Sequence, residues 1–96
     1  MAIRIKPYFA LRQVMGNHPF IEIDSDSTTI EDLLENLFAR YGPEFRAMVL
    51  DAETGGVSPN TQILVNGRHY RTLPNKLKTL LTSGDEISIF PPIAGG

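Results

Sequence analysis

The most constraining feature of this sequence is one apolar stripe at helical spacing between residues 30 and 41. Apolar residues at i, i+3, i+4, i+7, i+8 and i+11 lie on a single face of a helix. Thr28 and Glu31 match a capping box at its start, and Gly42-Pro43 predicts its end. A helix with one apolar face must cover another apolar surface, and a sheet is the nearest candidate. The side chains of the stripe are Ile30, Leu33, Leu34, Leu37, Phe38 and Tyr41.

Runs that alternate apolar and polar residues predict the sheet, because alternation is typical of strands with one buried face. Residues 3–8 and 20–24 form two such runs around a Gly16-Asn17 turn signal, and they predict an antiparallel hairpin. Asn66-Gly67 predicts a second hairpin. The remaining predicted elements are strands at 62–65, 68–70 and 86–90, helical turns within 44–50 and 74–81, and a surface loop at 51–60.

The order strand, strand, helix, strand, short strand, strand is typical of an α+β chain with the β-grasp, or ubiquitin-like, topology. We expect a mixed sheet with its first and last strands parallel at the centre and the main helix packed across one face. The predicted organisation is one domain at residues 1–90 and a flexible tail at 91–96. If Ile87 and Ile89 face the helix, Tyr8 and Phe90 point outward. Outward aromatics beside a tail are typical of a docking patch, although a single exposed aromatic is also ordinary.

The composition excludes several classes of protein. Without cysteine the chain has no disulfide, no thiolate metal site and no cysteine nucleophile. A formal net charge of −2, with scattered basic residues, argues against nucleic-acid binding. Residues 1–9 lack the apolar core of a signal peptide, and no apolar stretch is long enough to span a bilayer. We therefore expect a cytoplasmic protein that is not attached to a membrane and is a monomer when free.

The sequence shows no catalytic site of its own. His18 and His69 have no second ligand at short metal-site spacing, so both are interpreted as surface histidines. Glu31 and Glu35 lie one helical turn apart, which is typical of a solvated helix face. Phosphate-loop and nucleophile-elbow patterns are absent. We expect no permanently bound cofactor and no metal.

The remaining reactive group is the carboxylate of Gly96. Gly95 and Gly96 lack Cβ atoms and can thread a narrow channel, while Pro91 and Pro92 stiffen the base of the arm. A carboxylate is a weak electrophile, so acyl chemistry requires another protein to activate it with ATP. The alternative reading is a frayed terminus, where small residues are common.

Residues 84–96, Gly-Asp-Glu-Ile-Ser-Ile-Phe-Pro-Pro-Ile-Ala-Gly-Gly, resemble the C-terminus of the MoaD family, the small sulfur-carrier subunit of molybdopterin synthase. Residues 8–16, 30–41 and 65–67 resemble the first strand, the helix and the Val-Asn-Gly turn of that family. The chain departs from the family pattern in three places. Phe9 stands where a small residue is common, Gln13 replaces a usual Glu, and the loop at 51–60 is longer than in the leanest members.

The resemblance implies that a ubiquitin-activating-like adenylyltransferase of the MoeB or ThiF type adenylates Gly96 with ATP. A sulfur donor protein would then convert Gly96 to a thiocarboxylate. The tail would insert into a large molybdopterin synthase subunit of the MoaE type and supply sulfur in molybdenum cofactor biosynthesis. By position, Phe90, Pro91 and Pro92 would support the docked tail, and Ile93 and Tyr8 would contact the same partner.

Other β-grasp proteins also end in Gly-Gly, so three alternatives stay open. One is a sulfur carrier for thiamine or the tungsten cofactor, although the Phe-Pro-Pro run favours the MoaD type over the ThiS type. Another is a ubiquitin-like modifier conjugated to lysines through its C-terminal glycine. The third is an interaction module whose tail has no role.

Overall fold

The alternating runs and the apolar stripe produce a mixed α+β structure. The computed structural model describes residues 2–24 and 27–92. None of the described helices is long and apolar enough to cross a membrane. The strands are β1 (Ala2–Pro7), β2 (Ile21–Asp24), β3 (Ser27–Thr29), β4 (Gln62–Val65), β5 (Arg68–His69), β6 (Leu80–Thr82) and β7 (Glu86–Phe90). The helices are α1 (Ala10–Val14), α2 (Ile30–Tyr41) and α3 (Pro43–Val49), with 3-10 turns at Tyr70–Thr72 and Lys76–Lys78.

Five strands form the main sheet in the order β2-β1-β7-β4-β5. β1 and β7 are parallel neighbours, in register from Arg4 opposite Glu86 to Pro7 opposite Ile89. The β1–β2, β7–β4 and β4–β5 pairs are antiparallel. The β-grasp topology predicted from the order of elements is therefore confirmed.

The apolar faces of the sheet and of α2 meet in one core. Ile3, Ile5, Ile63, Ile87 and Ile89 are completely buried on the sheet side. On α2 the predicted stripe is buried from Ile30 to Phe38, and Tyr41 packs against its edge. Complete burial of an aliphatic side chain stabilises the folded state by about 1.5–3 kcal/mol. Packing against the sheet, more than helix propensity, therefore holds α2 in place.

The start of α2 differs by one residue from the predicted capping box. Thr29 is the N-cap, because its Oγ1 accepts a hydrogen bond from the backbone N–H of Asp32 at 3.1 Å. Both threonines belong to β3, Thr28 opposite Leu81 and Thr29 opposite Leu80 of β6. The cap falls on Thr29 because it is the last residue of β3, directly before the first helical residue, Ile30. Gly42 ends the helix as predicted, with a φ of 91° that glycine adopts readily.

Short elements account for the other differences from the predicted fold. α1, β3 and β6 were not predicted, and each spans only five or three residues. Tyr70 was predicted to lie in a strand, but it begins a 3-10 turn and is 6% exposed. The predicted helical turns at 44–50 and 74–81 correspond to α3 and to the 3-10 turn Lys76–Lys78.

Candidate functional site

The outer face of the main sheet, defined as the face away from α2, carries the second phase of each strand. On β7 the buried Ile87 and Ile89 alternate with the half-buried Glu86, Ser88 and Phe90. Tyr8 extends the outward phase of β1, since its backbone N–H donates to the Ile89 carbonyl at 3.1 Å. The outer face consists of Arg4, Lys6, Tyr8, Glu22, Gln62, Leu64, Glu86, Ser88 and Phe90.

Three aromatic rings form a tail-root cluster, Tyr8, Phe9 and Phe90, where the chain leaves the sheet. The Tyr8 and Phe90 rings are stacked, with centroids 4.1 Å apart and planes 11° apart. Phe9 makes tilted contacts with both, each at 6.4 Å between centroids. Such pairs stabilise by about 0.5–1.5 kcal/mol beyond the area they bury. The cluster thus presents aromatic surface directly beside the residue at which the tail begins.

Phe9 is the member of the cluster that the sequence reasoning did not assign to the site. Its side chain is 62% exposed. Its backbone has φ 56° and ψ −129°, a conformation that a bulky residue rarely adopts. The Phe9 carbonyl accepts hydrogen bonds from the N–H groups of Arg12 and Gln13 at the start of α1. The sequence signal that pointed to Phe9 was its departure from the small residue that is common at this position in the MoaD family.

Next to the aromatic cluster the outer face carries alternating charges. Arg4 of β1 stands opposite Glu22 on β2 and Glu86 on β7. Lys6 Nζ lies 3.1 Å from Glu86 Oε1. The hydrogen bond with Glu86, and then the charge attraction, raises the pKa of Lys6. Because both side chains are about two-fifths exposed, at 39% and 40%, the pair adds little stability and mainly fixes the charge pattern.

Phe20 extends the apolar and charged pattern of the outer face toward β2. The guanidinium carbon of Arg4 lies 4.3 Å from the centroid of the Phe20 ring. Phe20 itself is 39% exposed. A partner would therefore meet an aromatic ring at the β2 edge of the charged strip as well as at the root of the tail. Charge patterns of this kind set the specificity and rate of association.

The predicted site residues divide into two groups. Tyr8, Phe90, Pro91 and Pro92 are described, and the first two lie on the outer face as expected. Pro91 is buried and Pro92 is exposed. Ile93, Gly95 and Gly96 lie outside the described residues. The roles assigned to all of these residues stay predictions.

The histidines and glutamates singled out in the sequence do not form a second site within the described residues. His18 is exposed, and His69 uses its Nδ1 to accept the N–H of Arg71 at 3.2 Å. Glu31 and Glu35 each face a base instead of each other, Lys78 at 2.7 Å and Arg46 at 3.9 Å. Within residues 2–24 and 27–92, no group of three or more His, Cys, Asp or Glu side chains could hold a metal ion.

Known proteins resemble this chain over nearly its whole length. The sequence profile of the ThiS family matches residues 9–96. "Small archaeal modifier protein 3" of Haloferax volcanii is 32% identical over 96 residues, and the match covers all of both chains. "Putative sulfur carrier protein" of Archaeoglobus fulgidus is 36% identical, again over all of both chains. The solution structure of small archaeal modifier protein 1 from Methanosarcina acetivorans is 28% identical, has a TM-score of 0.80, and matches 99% of this chain and 96% of that one.

Proposed function

The chain belongs to the ThiS family, and on this premise we propose that it is a ubiquitin-like carrier protein that works through the carboxylate of Gly96. A partner enzyme joins that carboxylate to AMP from ATP, with release of pyrophosphate. Sulfur at the oxidation level of hydrosulfide, supplied by a donor protein, then attacks the carbonyl carbon of Gly96. The new C–S bond replaces the C–O bond to phosphate, AMP leaves, and Gly96 becomes a thiocarboxylate.

The observation that carries this proposal is the family match that runs through Gly95 and Gly96, directly behind the central strand of the sheet. β7 is hydrogen-bonded on both sides, to β1 and to β4. The root of the tail is therefore anchored in the central strand of the sheet, which is paired along both edges. Fully extended, residues 91–96 would reach about 20 Å at ~3.3 Å per residue. An arm of that length can bring Gly96 into a partner's active site while the body stays outside.

The outer face supports recognition by such partners. Tyr8, Phe9 and Phe90 present aromatic surface at the root of the tail, and aromatic residues are enriched at the centres of protein interfaces. Lys6 and Glu86 add a fixed charge pattern beside them. A partner that binds this face would position the tail in its own active site. The carrier itself would then need no pocket.

Intact mass after incubation with an adenylyltransferase encoded in the same genome, ATP and sodium sulfide tests the proposal. One oxygen should be replaced by one sulfur in the wild-type chain. Gly96→Ala should slow the exchange strongly, since the partner's channel must then admit a Cβ. Gly56→Ala is the matched control in an internal Gly-Gly pair, where the nearest atom to an added Cβ is Thr54 Oγ1 at 3.8 Å. An unchanged wild-type mass, or equal effects of the two alanines, would contradict the proposal.

For the pathway, we propose sulfur transfer to a molybdopterin precursor as the small synthase subunit. The support is the Gly-Asp-Glu run and the Phe-Pro-Pro-Ile-Ala-Gly-Gly end at residues 84–96, which resemble the MoaD family. The test is single-turnover conversion of the precursor by the thiocarboxylated chain and a MoaE-type subunit. Consumption of the thiocarboxylate without product would assign the sulfur to another pathway, such as thiamine or tungsten cofactor synthesis.

Protein modification is the second candidate, and the 32% identity to a Haloferax protein named as a modifier favours it. In this case a lysine amine, instead of sulfur, attacks the activated Gly96. Immunoblots of cell extract should show a ladder of larger species that disappears when Gly96 is deleted. A single band at the mass of the free chain would reject the modifier role and leave the carrier role intact.

A further inference from the structure

The lysines of this chain are not equivalent as nucleophiles. The sequence contains three, Lys6, Lys76 and Lys78. Lys6 pairs with Glu86 at 3.1 Å, and Lys78 pairs with Glu31 at 2.7 Å. Lys76 is exposed, and its side chain makes no ion pair or hydrogen bond with the described part of the chain. The Lys76 amine is therefore the one that is held by no carboxylate there.

The hydrogen bond with each partner carboxylate, and then the charge attraction, raises the pKa of Lys6 and of Lys78. A raised lysine pKa lowers the fraction of free amine near neutral pH, and only the free amine attacks a carbonyl carbon. Exposed ion pairs perturb such equilibria only weakly. Pairing alone therefore gives a preference for Lys76 but does not exclude the other two lysines.

Location adds a second difference. Lys76 opens the 3-10 turn Lys76–Lys78, which lies beside α2, because Lys78 bonds Glu31 and Leu77 packs against the core. The turn is on the helix side of the sheet, whereas Lys6 is on the outer face. A partner that covers the outer face would cover Lys6 and leave Lys76 in solvent.

The backbone holds Lys76 in an unusual conformation. Its φ is 47°, in the left-handed region where Asn or Gly is the usual residue. Its N–H donates to the Leu73 carbonyl at 3.2 Å, and its carbonyl accepts from the N–H of Thr79 at 3.0 Å. A lysine has no conformational advantage at this position. The unusual φ is therefore a reason to look for a role of the Lys76 side chain.

We propose that Lys76 is the acceptor amine for the activated Gly96 of a second copy of this chain, an inference that rests on the activation of Gly96 proposed above. The ammonium first loses a proton, and Nζ attacks the carbonyl carbon of the acyl adenylate. The C–O bond to phosphate breaks, AMP leaves with the electron pair, and the nitrogen releases a second proton. The product is two copies joined by an isopeptide bond.

The test is incubation of the full chain with its adenylyltransferase and ATP, without a sulfur source. Peptide mass spectrometry should find residues 79–96 of one copy linked to Lys76 of another. Lys76→Arg should lower the linked dimer by about five-fold or more, whereas Lys6→Arg and Lys78→Arg should each lower it by about two-fold or less. Lys76→Asn removes the amine and suits the left-handed φ, so an unchanged melting temperature with the same loss of dimer separates the amine from the fold.

Hydroxylamine trapping of the acyl adenylate separates the two proposals. A Gly96 hydroxamate without linked dimer overturns the role of Lys76 and leaves the proposed function standing. Linkage mainly at Lys6, Lys78 or the amino terminus also overturns it. The absence of both hydroxamate and pyrophosphate release overturns the proposed function together with the inference.

Discussion

The backbone of Phe9 offers a direct test of how the tail root is built. With φ 56° and ψ −129°, this residue occupies a region open to glycine and closed to most other residues. Phe9→Gly and Phe9→Ala both remove the ring and its two tilted contacts. The two variants therefore differ only in whether residue 9 carries a Cβ.

The expected difference follows from two opposing terms. A Cβ at this φ costs about 1–3 kcal/mol in the folded state. Glycine costs about 0.4–1 kcal/mol through the extra freedom of its unfolded chain. The glycine variant should therefore be more stable than the alanine variant by about 1 kcal/mol. For a domain of this size that corresponds to about 4–8 °C in melting temperature.

Thermal and urea unfolding followed by circular dichroism measure this difference. Ala39→Gly is the matched control, because residue 39 is exposed inside α2 and glycine there should cost about 1 kcal/mol. The sign of the Gly–Ala difference should thus reverse between positions 9 and 39. Equal stability of the two position-9 variants, or greater stability of the alanine variant, would refute a strained Phe9. With the ring absent, both should also bind the activating partner more weakly than the wild-type chain.

Three further outcomes follow from the structure. Thr29→Ala should destabilise by about 1 kcal/mol in urea unfolding, and Thr28→Ala by clearly less, because the hydroxyl of Thr29 caps α2; equal effects would contradict the assignment. Thr61→Val should lower stability by about 1 kcal/mol, because the single O–H of the buried Thr61 is shared between the carbonyls of Met48 and Val49, each 3.4 Å from Oγ1; Thr61→Ser, which keeps the hydroxyl, should retain that stabilisation, and a Val variant as stable as wild type would show that the shared bond contributes nothing. The pKa of Lys6 is raised in the folded state, so its pair with Glu86 stabilises fully below the ordinary lysine pKa of about 10.4 and is lost as pH rises through the folded value. The stability difference between wild type and Lys6→Met should therefore shrink in strongly alkaline solution, and a constant difference would show that charge is not its cause.

The parts of the fold that the sequence predicted are those with strong periodicity. Ile3 and Ile5, like Ile87 and Ile89, repeat every second residue, and this repeat also placed Tyr8 and Phe90 on the opposite face. The stripe of α2 is long enough for its period to be unambiguous. Since each face is set by local alternation, the two hairpins and the parallel central pair of the main sheet followed from the order of the elements.

The elements that were not predicted depend on tertiary contacts, which leave little signal in the local sequence. α1 buries only Leu11 among its five residues, which is too short a pattern to show a helical period. β3 and β6 owe their extended form to pairing with each other across a long separation in the chain, from Ser27 opposite Thr82 to Thr29 opposite Leu80. Phe9 was not included in the predicted site because its unusual φ depends on how the chain turns between β1 and α1.

The parallel pairing of β1 with β7 also has a mechanical consequence. Because the tail continues from β7, a pull on the tail against the start of β1 slides the two central strands along each other. Their ladder, from Arg4 opposite Glu86 to Pro7 opposite Ile89, is then loaded in shear, with all its bonds sharing the force instead of opening one by one. A pull along the arm would therefore meet the resistance of the whole β1–β7 ladder at once.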